Sequence, residues 1–103
     1  MSGGTDLAGA IAADARLFIL RELAGQVDGH LNAISLRRVL EIRYGINRSP
    51  EWVETQLHAL RELGVIELSA GGQIIIAHIL PLGRHFLAER SVVAGITLPS
   101  DVE

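Results

Sequence analysis

R-S-P-E-W-V-E-T-Q-L-H-A-L-R-E-L-G-V-I-E-L-S-A-G-G-Q-I-I-I-A-H, from Arg48 to His78, is the stretch whose reading decides the fold. It runs as a capped helix, a glycine stop, a strand, a tight turn and a second strand. The Ser49 hydroxyl can accept a bond from an orphan amide of the first helical turn. Pro50 suits the first helical position, where its missing N–H costs nothing. Glu51 and Glu54 sit near the positive end of the helix dipole. Val53, Leu57, Leu60 and Gly64 keep helical spacing, with Trp52, Gln56 and Leu63 flanking that stripe. Gly64 is placed to terminate the helix in the left-handed conformation. Val65, Ile66 and Leu68 then form a short apolar run rich in strand formers. Gly71-Gly72 offers the positive φ angles of a hairpin turn, and Ile74, Ile75 and Ile76 form the return strand.

Working outward, a second helix is predicted near Ala33 to Tyr44, capped by Asn32 or Ser35 and stopped by Gly45. Leu36, Val39, Leu40 and Ile42 are expected to point inward; Arg37, Arg38, Glu41 and Arg43 are expected to point outward. Leu31, just before it, can form a strand of one or two residues that pairs with the hairpin. Further upstream a first helix is predicted over about Leu7 to Ala24, capped by Thr5 or Asp6 and ended by Gly25. Leu7, Ala10, Ile11, Asp14, Leu17, Phe18, Arg21 and Ala24 mark its face, and Leu20 and Leu23 widen it. Its second half should therefore be buried on more than one side.

Downstream, Pro81 opens a short helix over Leu82 to Arg90, with Leu82, Phe86 and Leu87 inward. The expected division is a flexible end at 1–5, a domain at 6–90 and a tail at 91–103. The tail holds Val92, Val93, Ile96 and Leu98 before Pro99. It either packs back on the domain or crosses to a partner chain. The fold class that follows is α+β, mainly α: a winged helix-turn-helix with a three-helix core, a two-stranded wing, a short C-terminal helix and a tail.

The chain has 103 residues, enough for one modest core, and 49% of them are hydrophobic, which excludes a disordered class. There is no cysteine, so disulfides and thiolate metal sites are ruled out. No apolar run is long enough for a membrane span, and no basic leader precedes one, so a cytoplasmic protein is expected. The formal charge is −3, and all nine basic residues are arginine. Non-specific nucleic-acid affinity comes mainly from phosphate neutralisation, so DNA binding here would need a local basic patch.

Several pieces together resemble the small winged-helix proteins of Mu-like phages and prophages, the ArsR-like regulators. They are D-A-R-L-F-I-L-R-E-L (Asp14 to Leu23), G-H-L-N (Gly29 to Asn32), and Ser49 followed by V-E-T-Q-L-H-A-L-R-E-L-G-V-I (Val53 to Ile66). L-x-x-G (Leu80 to Gly83) and G-I-x-x-P (Gly95 to Pro99) complete the set. Where many relatives carry threonine before the last helix, this chain has Pro81. The resemblance implies a DNA-binding module of phage or prophage origin and carries over no catalytic residue.

On this fold the helix from Glu51 to Leu63 would present its outward residues to a major groove. Thr55, His58 and Arg61 are the donors there, while Glu51, Glu54 and Glu62 repel phosphate and can at most accept from cytosine. Arg37, Arg38, Arg43 and Arg48 form the best basic cluster, flanking the turn into that helix with Ser49. Gln73 is the polar candidate at the wing tip, which carries no basic residue. The expected partners are double-stranded DNA and a second copy of the chain, meeting through the first helix and the tail. The runner-up reading is a protein-interaction or assembly module on the same scaffold, motivated by the acidic helix face and the net charge. His58 with Glu54, and His85 with Glu89, are spaced one helical turn apart, but neither pair makes a metal site by itself. No cofactor is implied. No phosphate-binding loop, nucleophile elbow or zinc-protease motif is present, so no enzyme activity is expected.

Overall fold

The computed structural model describes residues Asp6 to Val102. The expected flexible end at 1–5, and with it Thr5 as a cap, lies outside the described residues. The elements in order are α1 (Leu7–Ala24), β1 (His30–Asn32), α2 (Ala33–Tyr44), α3 (Pro50–Glu62), β2 (Ile66–Gly71), β3 (Ile74–Ile79), α4 (Pro81–Leu87) and a 3-10 turn at Pro99–Val102. Local chemistry sets the helix starts. Asp6 caps α1 through Gly9 N, Asn32 caps α2 through Ser35 N, and Ser49 caps α3 through Trp52 N. Gly64 ends α3 at φ 78°, and Val65 N donates back to Leu60 O at 3.3 Å.

The three strands pair antiparallel in the order β1-β3-β2. Alternation puts Ile66, Leu68, Ala77 and Ile79 on the face toward the helices and Glu67, Ser69, Ile76 and His78 on the other. The connecting turn is Gly72–Gln73, because Gly71 still pairs with Ile74. That is one residue later than the Gly71-Gly72 expectation. Gly72 has φ 69° while Gln73 stays at negative φ. This is the φ pattern of a II′ turn, which requires glycine only at its first central position. Gly71 instead leaves room for Ile76, whose Cδ1 would stand 2.9 Å from an added Cβ.

The core is built from Leu17, Ile19, Leu20 and Leu23 of α1, Leu36 and Leu40 of α2, Val53, Leu57 and Leu60 of α3, the inner strand residues, Phe86 and Ile96. Each such buried side chain stabilises the fold by roughly 2 kcal/mol. α1 is the central helix, and its second half is buried on several sides, as its wide apolar arc requires. One stripe escapes: Leu7 is 65% exposed, and Ile11, Asp14, Phe18 and Arg21 are half-buried. Of the expected face, Leu17 is fully buried and Phe18 and Ala24 pack against the core, whereas Leu7 and Ala10 are exposed and Ile11, Asp14 and Arg21 lie at its half-buried edge. On α2, Ile42 is 72% exposed, contrary to the inward expectation. It lies nearly opposite the Leu36–Leu40 stripe, and Tyr44 occupies the inward position at that end.

α4 begins at Pro81 and stops at Leu87, three residues before the predicted end. Glu89 adopts φ 57°, and Glu89 N and Arg90 N bond to Phe86 O and His85 O at 2.9 and 2.8 Å. That closes the helix as a glycine would in a Schellman motif. Leu82 turns outward, and the residue that faces in is Gly83. The tail packs back on α1. Thr97 N donates to Ala13 O at 3.3 Å, the Thr97 hydroxyl to Asp14 Oδ1 at 2.6 Å, and Arg16 Nη1 to Gly95 O at 2.9 Å. Ile96 and Pro99 are buried there. The architecture is a winged helix-turn-helix, with β1 added to the two wing strands.

Gly83 has a packing reason. An added Cβ would stand 2.6 Å from Val65 O and 2.9 Å from Ile79 Cγ1, and Val65 O also accepts from Leu80 N at 2.9 Å. The Leu80-x-x-Gly83 motif is thus the seat of α4 on the sheet. Gly83→Ala should lower stability by about 1–3 kcal/mol in urea unfolding, because a backbone oxygen must give way.

Candidate nucleic-acid interface

The placement of α3 starts at a buried acid. Glu22 of α1 is only 8% exposed. Its carboxylate accepts two bonds from Arg43 Nη1, at 3.1 and 2.8 Å, and one from the Tyr44 hydroxyl at 2.7 Å. Phe18 stacks on Tyr44 with ring centroids 4.1 Å apart and planes 8° apart. The last turn of α2 is thereby fastened to α1. Gly45 then leaves the helix at φ 71°, and Ile46 N bonds back to Leu40 O at 2.9 Å. Arg37 Nε donates to Arg48 O at 2.8 Å, which holds the turn from α2 to α3. On the far side of α3, Arg16 Nε donates to Gln56 Oε1 at 2.9 Å. The Tyr44 hydroxyl is held above its ordinary value of 10.0. Desolvation by burial is the main cause, joined by the hydrogen bond to Glu22 and that group's charge, against the opposing pull of Arg43 and Arg21.

α3 buries Val53, Gln56, Leu57 and Leu60. The centre of its outward face is therefore Glu51, Thr55, His58 and Glu62, all exposed. Glu54 and Arg61 flank that stripe on one side and Trp52 and Ala59 on the other. The Thr55 hydroxyl donates to Glu51 O at 3.0 Å. Arg61 Nη2 meets Glu62 Oε2 at 3.3 Å, with both side chains exposed. Such a surface pair is worth at most about 1 kcal/mol and does not lock either group. Among the described residues, Glu54 and His58 form no ion pair.

The candidate residues do not converge into one patch of free charge. Arg43 is engaged with Glu22, and Arg37 with the Arg48 carbonyl. The Arg48 guanidinium carbon lies 5.4 Å from the Trp52 ring centroid, over the indole. Arg38 is exposed on α2. Ser49 is occupied as the cap of α3. Gln73 stands exposed in the wing turn, well separated in sequence from the others.

Two features have no counterpart among the sequence-predicted sites. His30 and His78 stack across β1 and β3, centroids 4.0 Å apart and planes 7° apart, with Glu67 the register partner of His78 on the other side. His30 Nδ1 lies 2.7 Å from Asp28 O. Only the strand register, which sequence does not disclose, brings these rings together. The second is a cleft of about 550 Å³ between α1 and the turn into α3, lined by Ile11, Asp14, Phe18, Tyr44 and residues 45–48. The spacing of Ile11, Asp14 and Phe18 was visible, but not the side on which it lay. Among the described residues no group of three or more histidine, aspartate or glutamate side chains could hold a metal ion, and no helix is long and apolar enough to cross a membrane.

No protein-family model matches the chain, and no curated protein matches it significantly. A crystal structure from Thermoplasma acidophilum, described as a "putative transcriptional regulator", matches it with a TM-score of 0.62 over 84% of this chain and 81% of that one, at 20% identity. At that identity the likeness is one of fold.

Tyr44→Phe removes a hydrogen bond to a buried carboxylate and should cost about 1.5–3 kcal/mol at neutral pH. The stabilisation tied to the raised Tyr44 value is fully present below pH 10 and is lost as pH rises through the folded-state value. Above pH 10, wild-type stability should therefore fall more steeply with pH than that of Tyr44→Phe, measured by urea unfolding across an alkaline series.

Proposed function

We propose that this chain is a DNA-binding transcriptional regulator that lays α3 in a major groove, and that its setting is a phage or prophage. The observation that carries the reading is the uncovered outward face of α3 on a winged-helix frame, with Thr55, His58 and Arg61 exposed on it. Arg48 and Arg38 are the phosphate contacts of this reading, and Gln73 at the wing tip is a backbone or minor-groove contact. The fold likeness to a described regulator supports it, as does the resemblance to prophage winged-helix proteins. Partnership with a second copy belongs to the same proposal. The surface for it is the exposed first turns of α1 with Val92 and Leu98, since Ile96 and Pro99 are already buried against the chain's own α1.

One observation favours a second reading, a protein-interaction module. Glu51 and Glu62 sit in the centre of the α3 face, and the chain carries net −3. In that reading α3 repels DNA and meets a partner protein.

Fluorescence anisotropy of a labelled duplex pool, titrated at low and then at physiological salt, separates the two. The DNA reading predicts saturable binding at low salt that weakens modestly as salt rises. It also predicts that Arg48→Ala lowers affinity roughly tenfold and reduces the salt slope by about one. No binding at low salt would leave only the interaction module. In sedimentation velocity, Leu7→Asp combined with Val92→Asp should convert a dimer to a monomer; an unchanged sedimentation coefficient would discard that interface.

A further inference from the structure

We propose that the cleft between α1 and the turn into α3 binds a small organic cation with an apolar, ring-bearing body. The cleft holds about 550 Å³, within the range of small-molecule sites. Its walls are Ile11 and Ile46 and the stacked pair Phe18 and Tyr44. Its charged groups are Asp14 and Arg48, and they are not equivalent. The exposed Arg48 guanidinium lies over the Trp52 ring, which holds it toward α3 without cancelling its charge. Tyr44 spends its hydroxyl on Glu22, which is neutralised in turn by Arg43.

Asp14 is different. It is half-buried, and among the described residues no cation pairs with it. Among the described residues its one hydrogen bond is from the Thr97 hydroxyl to Oδ1 at 2.6 Å, a neutral donor that leaves the charge uncompensated and the second oxygen without a partner there. That same bond fixes the carboxylate in place through the tail. A fixed, partly desolvated carboxylate beside two aromatic rings and two isoleucines favours a donor cation with an apolar body. The carboxylate supplies the ion pair, and ring faces attract cations as well. An anionic or purely apolar molecule of the same shape leaves Asp14 desolvated without a partner.

This inference does not require DNA binding. Its position matters to that reading, because the cleft floor is the turn that launches α3, and an occupant there would touch the residues that set the pose of the helix.

The test is an amide chemical-shift titration of the full chain with three probes that share a phenyl ring and a three-carbon chain: 3-phenylpropan-1-ammonium, neutral 3-phenylpropan-1-ol and 3-phenylpropanoate. The expected result is saturable shifts from the ammonium at Ile11, Asp14, Phe18 and residues 44–48, with affinity at least tenfold weaker for the other two. Asp14→Asn keeps an oxygen for the Thr97 hydroxyl and should weaken ammonium binding at least tenfold. Ile11→Trp fills the cleft from a half-exposed position and should abolish it. Equal response to all three probes, no saturable response to the ammonium, shifts centred elsewhere, or undiminished binding by Asp14→Asn would each overturn the proposal.

Discussion

A single buried carboxylate, that of Glu22, decides where α2 ends and therefore where α3 begins. Burying an ionised acid costs several kcal/mol unless its lone pairs are engaged. Here two oxygens receive three bonds, all from Arg43 and Tyr44 at the close of α2. The stabilisation is directional, since it is recovered only when α2 terminates with those two residues over α1. Gly45 then turns the chain, Arg37 holds the Arg48 carbonyl, and Ser49 caps α3. The pose of α3 is thus set by a chain of short polar contacts that begins in the core.

This economy has a consequence for electrostatics. Four arginines near the α2–α3 turn look like a phosphate-binding cluster in sequence, yet two of them hold the fold together. Under the DNA reading what remains is Arg37, whose carbonyl partner leaves its charge in place, Arg38, Arg48 over its indole, and Arg61 beside Glu62. Phosphate contacts dominate non-specific affinity, so four cations against Glu51, Glu54 and Glu62 give a weak sequence-independent component. A DNA-binding role on this surface would therefore depend on groove contacts from Thr55, His58 and Arg61 more than on charge, and its salt dependence would be modest.

Much of the fold was legible because its determinants are local. Asn32 and Ser49 cap helices at the expected positions, Gly45 and Gly64 end them, and the limits of α1 and α2 match the reading of caps and spacing. The misses share a cause, which is tertiary context. The 7, 11, 14, 18, 21 stripe has helical spacing whichever way it faces, and only the placement of the tail on Asp14 and of Tyr44 on Phe18 leaves it half-buried at the edge of the core. Gly83 and Leu82 exchanged roles because α4 approaches Val65 O too closely for a side chain. The hairpin turn moved by one residue because a II′ turn needs one glycine, not two. On the site, the residue types of α3 were readable, but the engagement of Arg43 and Arg37 was not: long-range polar pairing leaves no period in a sequence. The His30–His78 stack is hidden for the same reason.

The measurement that tests the functional account most directly is an amide chemical-shift footprint of a short duplex on the uniformly labelled chain at low salt. Perturbations centred on Arg48, Thr55, His58 and Arg61, with a smaller effect at Gln73, are what the account predicts. Perturbations absent from α3, or confined to α1 and the tail, would contradict it and leave the winged helix as a scaffold for protein contacts.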